Sequence, residues 1–435
     1  MSASPSDEPL TSIEICAGAG GQAIGLHQAG FKHLALVEID EHATKTLSDN
    51  IKKLRDWSWE RQHCQIISGD VKDFRPLPDE KNPEAGLKKP LGFPGHPLKK
   101  AELDLLAGGV PCPPFSHAGK QLGKDDERDL FPAMLELVDE LKPRAVMIEN
   151  VRGIKDVKFD KYRTYIEARL QGGRAERPED GVEVYFEGLG YRVCEWGVLE
   201  ASDFGVPQLR PRAILVAIRE DILGDLKFHW PEPKPSARKS VFHALHDSMK
   251  ARYDVYMQMD GRLGEVAKER WGAWLKDAKE TPQRSDGGIA PTLVGGSKKH
   301  GGADLGPSRA KAAWGLLGIS GMGVANSIED CVEKESHGRD LFGDDGPMLT
   351  VDQAAIIQGF PETWKFSGKK TAQYRQVGNA FPPPVAKAVG KAIAEVLLAA
   401  RQRDEKKENK PTGLLAGRVL PTPSDRIDDR QGAVV

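Results

Sequence analysis

The first half of the chain is punctuated by short apolar runs that end on glycine or an acidic side chain, and between them apolar residues return at helical spacing. Ser12 to Cys16 (SIEIC) runs into the glycine-rich AGAGG, QAIGLHQAGF continues with a helical pattern, and HLALVEID follows as a second buried strand. A third strand is predicted at QIIS, just before Asp70. Further strands are predicted at LDLLAGG (103–109), RAVMIEN (144–150) and RAILVAI (212–218), with a helix over FPAMLELVDEL. This alternation predicts an α/β fold, a mostly parallel sheet covered by helices.

Two stretches break the pattern. Arg75 to Lys100 is rich in Pro, Gly and Lys and reads as a long surface loop that interrupts the sheet without ending it. From about 220 to 348, HWPEPKPSARK and then the Gly-rich, basic VGGSKKHGGADLGPSRAKAAWG mark a separate, smaller region. Helical periodicity resumes in LTVDQAAIIQGF and PPPVAKAVGKAIAEVLLAARQR. Residues 401–435, charged and poor in large apolar groups, are expected to be disordered.

Composition narrows the class. With 435 residues the chain has room for two or three domains at about 100–200 residues each, so it is no small stapled scaffold. Its five cysteines, at 16, 64, 112, 194 and 331, form no CxxC pair and do not cluster, which argues against a zinc ribbon and a disulfide framework. No apolar run reaches the length of about 18 residues that a membrane span needs. The polar start MSASPSDEPL has no apolar core of a secretory signal, so a cytosolic or nuclear protein is expected. Lys and Arg (62) nearly balance Asp and Glu (64), for a net charge of −2. That total does not advertise nucleic acid, yet a basic patch can sit inside it.

Candidate chemistry collects where the predicted strands end. Gly18, Gly20 and Gly21 between a strand and a helix leave backbone N–H groups free for a ligand, and Glu38 closes the next strand where a ribose diol fits. The spacing is GxGG rather than GxGxxG, a weak signal by itself. Asp70 suits an adenine amino group, or simply a helix cap. In GGVPCPPFSHAGKQLG, Cys112 lies between Pro111 and Pro113 directly after an apolar strand, so the backbone cannot continue the ladder and the thiol is presented at the strand's edge. A lone cysteine is usually an inert buried residue; prolines on both sides at a strand end reverse that expectation. Glu149 and Asn150 again end a strand, where open α/β sheets hold their ligands. In QLRPR, the spacing of two puts Arg210 and Arg212 on one face, suited to a phosphate or a carboxylate, with an edge-strand salt bridge as the alternative. His243 and His246 have a spacing that could bind metal but are assigned to structure, so no metal is expected.

Taken in order, EICAGAGG, VEID, GDV, GGVPCPPFS, IENV, QLRPR, IAPTL and QVGNAFPPP resemble the DNA (cytosine-5) methyltransferase family, over about residues 10–219 and 284–398. The resemblance implies an S-adenosylmethionine-dependent, Rossmann-like sheet domain (10–219 completed by 349–400) and a smaller target-recognition domain (220–348), with double-stranded DNA between them. It makes Cys112 the nucleophile, Glu149 the acid at N3, and Arg210 with Arg212 the pair supporting Glu149 and the cytosine. It also makes Ala17, Gly18, Ala19, Gly20 and Gly21 the cofactor turn, Glu38 with Ile39 the ribose side, Asp70 with Val71 the adenine side, and Gly109 with Pro111 the wall near the methionine end. Leu130, Asn379 and Ala380 complete the pocket; Ser116 and Arg128 meet the DNA backbone. Two positions depart from the family: Cys16 stands where an aromatic residue commonly precedes the turn, and Pro113 where Gln often follows the nucleophile.

The chemistry of that reaction explains the residue types. Cytosine C5 is a poor nucleophile, and thiolate addition at C6 turns the ring into an enamine that is nucleophilic there. An RNA cytosine-5 methyltransferase is the nearest competing reading. A DNA-binding regulator without catalysis leaves Cys112, Glu149 and Arg212 unexplained, and a nicotinamide dehydrogenase leaves PCPP and QLRPR so. The compact core implies a bacterial restriction–modification setting, with a cognate endonuclease encoded separately and a monomeric, cytoplasmic, nucleoid-associated enzyme. Lys298, Lys299 and Arg309, among glycines that permit close approach to phosphates, place the expected DNA contacts in 293–330, with 220–283 as scaffold.

Overall fold

The computed structural model describes residues 8–78, 87, 89–93, 95–111, 129–283, 287–295 and 303–408. Seven strands form one sheet: β1 (Leu10–Ile15), β2 (Phe31–Glu38), β3 (Gln65–Ser68), β4 (Leu105–Gly108), β5 (Ala145–Val151), β6 (Tyr191–Glu200) and β7 (Pro211–Arg219). Their spatial order is β6-β7-β5-β4-β1-β2-β3. The five strands from β5 to β3 run parallel, and β7 is antiparallel to both β5 and β6. The sheet is thus mostly parallel, as the alternating pattern predicts. β1 and β4 are buried along their whole length; β4 (LLAG) accordingly reads as a continuous apolar run, whereas β1 (LTSIEI) buries Thr11, Ser12 and Glu14 among its apolar residues. The chain progresses outward in opposite directions from β1 and β4, so the crevice at their C-terminal ends is the switch point where such sheets bind ligands.

Helices cover both faces. Gly21–Gln28 and the long Pro383–Glu408 share one apolar layer, with Leu26, Val385, Val389 and Ile393 against Ala107, Met147 and Val216. On the other face Phe131–Leu141 and Asp160–Gln171 bury Phe131, Met134, Val138 and Ile166 against Ile13, Leu106 and Val146. The last helix does not stop at residue 400: it continues to Glu408, and Arg401 is bonded to Asp104 at 2.8 and 3.0 Å. Residues 401–408 therefore belong to the fold, a correction to the expected start of the tail; 409–435 lie outside the described residues.

The Arg75–Lys100 stretch is likewise more than surface. Leu91 and Leu98 are buried beside a two-residue ladder between Gly92–Phe93 and His96–Pro97, and Gln65 at the sheet edge donates to the carbonyls of Lys89 and Pro90. Between 220 and 348, helices Val241–Met257 and Arg262–Glu280 pack through Tyr253 and Trp274. These side chains join Trp314, Trp364, Trp57 and Leu47 in one apolar cluster, so packing is continuous from this region to the sheet's helical layer. His243 and His246 sit on the first of these helices, bonded to Ser240 and Asp247. No helix among the described residues is long and apolar enough to cross a membrane.

Candidate active site

The turn after β1 is built by conformation. Cys16, Gly18 and Gly20 all have positive φ (51°, 54° and 92°), and Gly20 then starts the helix Gly21–Gln28. At Gly20 both the left-handed backbone and the space demand glycine, because a Cβ would lie 2.8 Å from the Trp364 ring. The Trp364 indole N–H donates to the Ala19 carbonyl at 2.9 Å, holding the turn from behind. In front, the Glu38 carboxylate accepts from the N–H of Gly18 (2.7 Å) and of Asp40 (2.9 Å). One lone pair on each oxygen is thereby used and another is left for a ligand hydroxyl.

A cavity of about 360 Å³ opens at this turn. Of the expected cofactor residues, Ala17, Gly18, Ala19, Gly21, Glu38, Gly109, Pro111, Asn379 and Ala380 line it. Gly20 faces Trp364 instead, and Leu130 caps the helix Phe131–Leu141, its N–H 3.4 Å from the Pro111 carbonyl. Asp70 caps the short turn Val71–Asp73 through the Lys72 N–H, with Val71 buried and Ile39 exposed; none of the three lines the cavity.

Sequence reasoning missed several wall residues. Glu14 and Gln22 are buried and line the cavity, and one oxygen of Glu14 and both polar atoms of the Gln22 amide find no partner among the described residues. Burial, reinforced by the Glu38 charge, holds the Glu14 carboxyl well above the usual range. A charged residue inside a buried strand was the available signal. The opposite wall is one stripe of the helix Lys370–Asn379, namely Ala372, Arg375, Gln376 and Asn379, at the i, i+3, i+4, i+7 spacing of a single face. Cys16, in place of an aromatic residue, also lines the cavity, its thiol pushed up to about 12 mainly by burial.

The reactive end of the cavity is set by β4, β5 and β7. Glu149, near the end of β5, accepts from Arg212 Nε at 2.8 Å, and its other oxygen stands 3.1 Å from where a Cβ on Gly109 would be. Burial raises the Glu149 carboxyl above its ordinary value of 4.5, while Arg212 and Arg210 act in the opposite sense. Such a group, one-sidedly bonded and facing a cavity, is suited to give and take a proton. Asn150 donates to the Val110 carbonyl at 2.7 Å and so positions the chain that leads through Pro111 to Cys112. Cys112, Ser116 and Arg128 themselves lie outside the described residues.

Arg210 and Arg212 both act on the Glu149 charge but take different hydrogen-bond partners. The Arg210 guanidinium, 1% exposed, donates to the carbonyls of Leu293 (2.7 Å), Gly378 (2.7 Å) and Ala380 (2.9 Å). Arg212 alone makes the ion pair with Glu149. The strand begins at Pro211, so Arg210 precedes the ladder and the period of two does not carry its side chain to the same partner. On the recognition side, Arg309 is exposed on the helix Ser308–Gly315, while Lys298 and Lys299 lie outside the described residues.

A cavity at the switch point of a mostly parallel sheet thus joins a glycine turn to a carboxylate held by an arginine, an arrangement of the α/β enzyme kind. The family model for C-5 cytosine-specific DNA methylases matches residues 10–395, and the chain belongs to that family. It is 44% identical over 391 residues to the Type II methyltransferase M.NaeI of Lentzea aerocolonigenes, covering 90% of this chain and 76% of that one. With M.NgoMIV of Neisseria gonorrhoeae it shares 39% identity over 393 residues, covering 89% and 98%. With M.Eco47II of Escherichia coli it shares 30% over 410 residues, covering 90% and 80%.

Proposed function

We propose that this C-5 cytosine DNA methylase transfers the methyl group of S-adenosylmethionine to a cytosine turned out of duplex DNA, through a transient bond between Cys112 and C6, as the modification enzyme of a Type II restriction–modification system. The observation that carries the reading is the Glu149–Arg212 pair on the same cavity as the glycine turn and Pro111. The cavity residues fit a nucleoside joined to an amino acid. Glu38 is placed for a ribose diol, and Glu14 and Gln22 offer unpartnered polar atoms to a charged end. When bound, the cofactor supplies an electrophilic methyl group.

The Cys112 thiolate adds to C6, and electron density moves toward N3, where Glu149 delivers its proton. Arg212 fixes that carboxyl's orientation and stabilises it as a carboxylate once the proton has gone. Once C5 carries the methyl group its proton passes to solvent water as the C6–S bond breaks with the thiolate expelled, and the N3 proton returns to Glu149. Turning the base out costs about a few kcal/mol, offset by cavity contacts. In this reading Asp70, Val71, Ile39 and Leu130 close around the cofactor, and Ser116, Arg128, Lys298, Lys299 and Arg309 contact DNA. The enzyme acts as a cytoplasmic monomer beside a separately encoded endonuclease.

The test is adduct formation on duplex DNA containing 5-fluorocytosine in the presence of S-adenosylmethionine, since fluorine cannot leave as the C5 proton does. A denaturant-stable adduct with wild type and none with Cys112→Ala is expected, with 5-methylcytosine at one duplex sequence mapped at base resolution. An adduct on Cys16 or Cys331, or methylation of tRNA rather than DNA, overturns the reading.

A further inference from the structure

We infer that Arg210 is a positioning residue, tying the chain that enters the DNA-reading region to the cofactor wall so that each ligand strengthens binding of the other. The inference rests on the reading above. Arg210 is a cation withdrawn from water that makes no ion pair among the described residues, Glu149 being bonded to Arg212. Its charge is met by carbonyl dipoles from two separate stretches, Leu293 on one side and Gly378 with Ala380 on the other. Those stretches have different tasks. Asn379 and Ala380 line the cavity, whereas Leu293 leads through Gly295 toward the basic segment and Arg309.

The two stretches also cross in direct backbone contact. A Cβ on Gly378 would lie 2.6 Å from both Cα and N of Gly295, and a Cβ on Gly295 would run into the Asn379 side-chain oxygen. Gln208 locks the same crossing from below: its oxygen accepts from the Leu293 N–H at 2.7 Å, and its amide nitrogen donates to Gln358 Oε1 at 2.7 Å. Beyond the crossing, Val294 packs 3.2 Å from where a Cβ on Gly306 would be, just ahead of the helix that carries Arg309. A ligand that fixes Asn379 and Ala380 therefore fixes two of the three carbonyls on Arg210, and through it the third. By linkage, the coupling factor is the same in both directions.

The experiment is a binding cycle. S-adenosylhomocysteine is titrated into the full-length protein with and without a saturating duplex carrying the mapped site, and the duplex is titrated with and without S-adenosylhomocysteine. Wild type is expected to show at least fivefold tighter binding of each ligand in the presence of the other. Arg210→Lys, which keeps the charge but loses the fork of donors, and Gly295→Ala, which displaces Asn379 and leaves Arg210 intact, are expected to reduce that factor below twofold. Thermal melting establishes that each variant is folded, and Gly295→Ala carries the test alone if Arg210→Lys is not. A wild-type factor of one overturns the proposal, as do variants that weaken both ligands while leaving the factor unchanged. Failure of the wild type to bind S-adenosylhomocysteine at all would instead overturn the reading of the site.

Discussion

Two buried acid–arginine clusters stand at opposite ends of the same parallel strands. At the N-terminal end Asp104 accepts from the Thr11 N–H (2.8 Å) and hydroxyl (3.2 Å), from Arg401 on both oxygens, and from Arg144 (3.3 Å). At the C-terminal end Glu149 has one short bond, from Arg212, and turns its other oxygen toward Gly109 and the cavity. The chemistry of the pairs is the same, and only the degree of satisfaction differs. A carboxylate whose oxygens are fully engaged holds elements together. One left half-engaged beside a void has its carboxyl raised by burial and a site at which to use the proton.

The largest effect that can break this comparison is expected at the saturated end. Asp104→Ala leaves the Arg401 and Arg144 guanidinium groups facing each other without a counter-charge, and removing one partner of a buried pair costs about 3–5 kcal/mol. Arg144 is partly exposed, which places the loss toward the lower figure. Chemical denaturation measures it, with the turnover of the folded fraction unchanged. Lost turnover at unchanged stability would show that Asp104 acts on the site.

Glu149→Gln is expected to do the reverse. The amide can donate to N3 but cannot transfer a proton, so methyl transfer falls about a hundredfold, within the usual worth of a positioned acid. The stability effect follows from the raised carboxyl. The folded state holds this proton more tightly than the unfolded chain does, so its stabilising contribution is complete below the ordinary value of 4.5 and is lost as pH rises through the raised one. Gln cannot ionise, and the variant's denaturation midpoint should gain on wild type as pH rises above 4.5. Parallel pH profiles would mean that Arg212 already compensates the burial in full.

The same contrast explains what was legible in the sequence. Strand ends carry Glu38, Gly109, Pro111 and Glu149, and in a parallel sheet buried on both faces a strand end is readable from one apolar run and the residue that stops it. The wall supplied by Lys370–Asn379 was legible only at Asn379 and Ala380, because its placement depends on partners far away in sequence, such as the Thr46 hydroxyl donating to Gln376 Oε1 at 2.6 Å. Helix Val241–Met257 was obscured by polar texture, although Leu245, Met249, Tyr253 and Tyr256 form a buried stripe and Ser240 caps it. Arg210 was read as sharing a face with Arg212, and one residue of strand boundary gives its guanidinium different hydrogen-bond partners. Leu91 and Leu98 were hidden by the prolines and glycines around them; two well-placed leucines suffice to anchor such a stretch.

The smallest effect sharpens the comparison within the site itself. Trp364 is fully bonded like Asp104, yet it touches the cofactor turn: its N–H meets the Ala19 carbonyl and its ring closes the space behind Gly20. Its neighbour Trp57, 5.5 Å away between ring centroids, is itself stacked on His27, so the ring has little room to shift. Trp364→Phe keeps the apolar wall and removes one neutral hydrogen bond worth about 0.5–1.5 kcal/mol, leaving the Ala19 carbonyl unpaired. Binding of S-adenosylhomocysteine, measured by calorimetry, is then expected to weaken about twofold to tenfold, with the KM for S-adenosylmethionine rising in step and kcat falling less than twofold. That split separates a contact that holds the turn from one that moves a proton. A fall in kcat comparable to that of Glu149→Gln would place the rear wall on the reaction side and end the division between saturated and reactive contacts. Unchanged affinity would show that the turn stands on its own backbone bond from Gly20 to Ala17 (3.0 Å) and on Glu38.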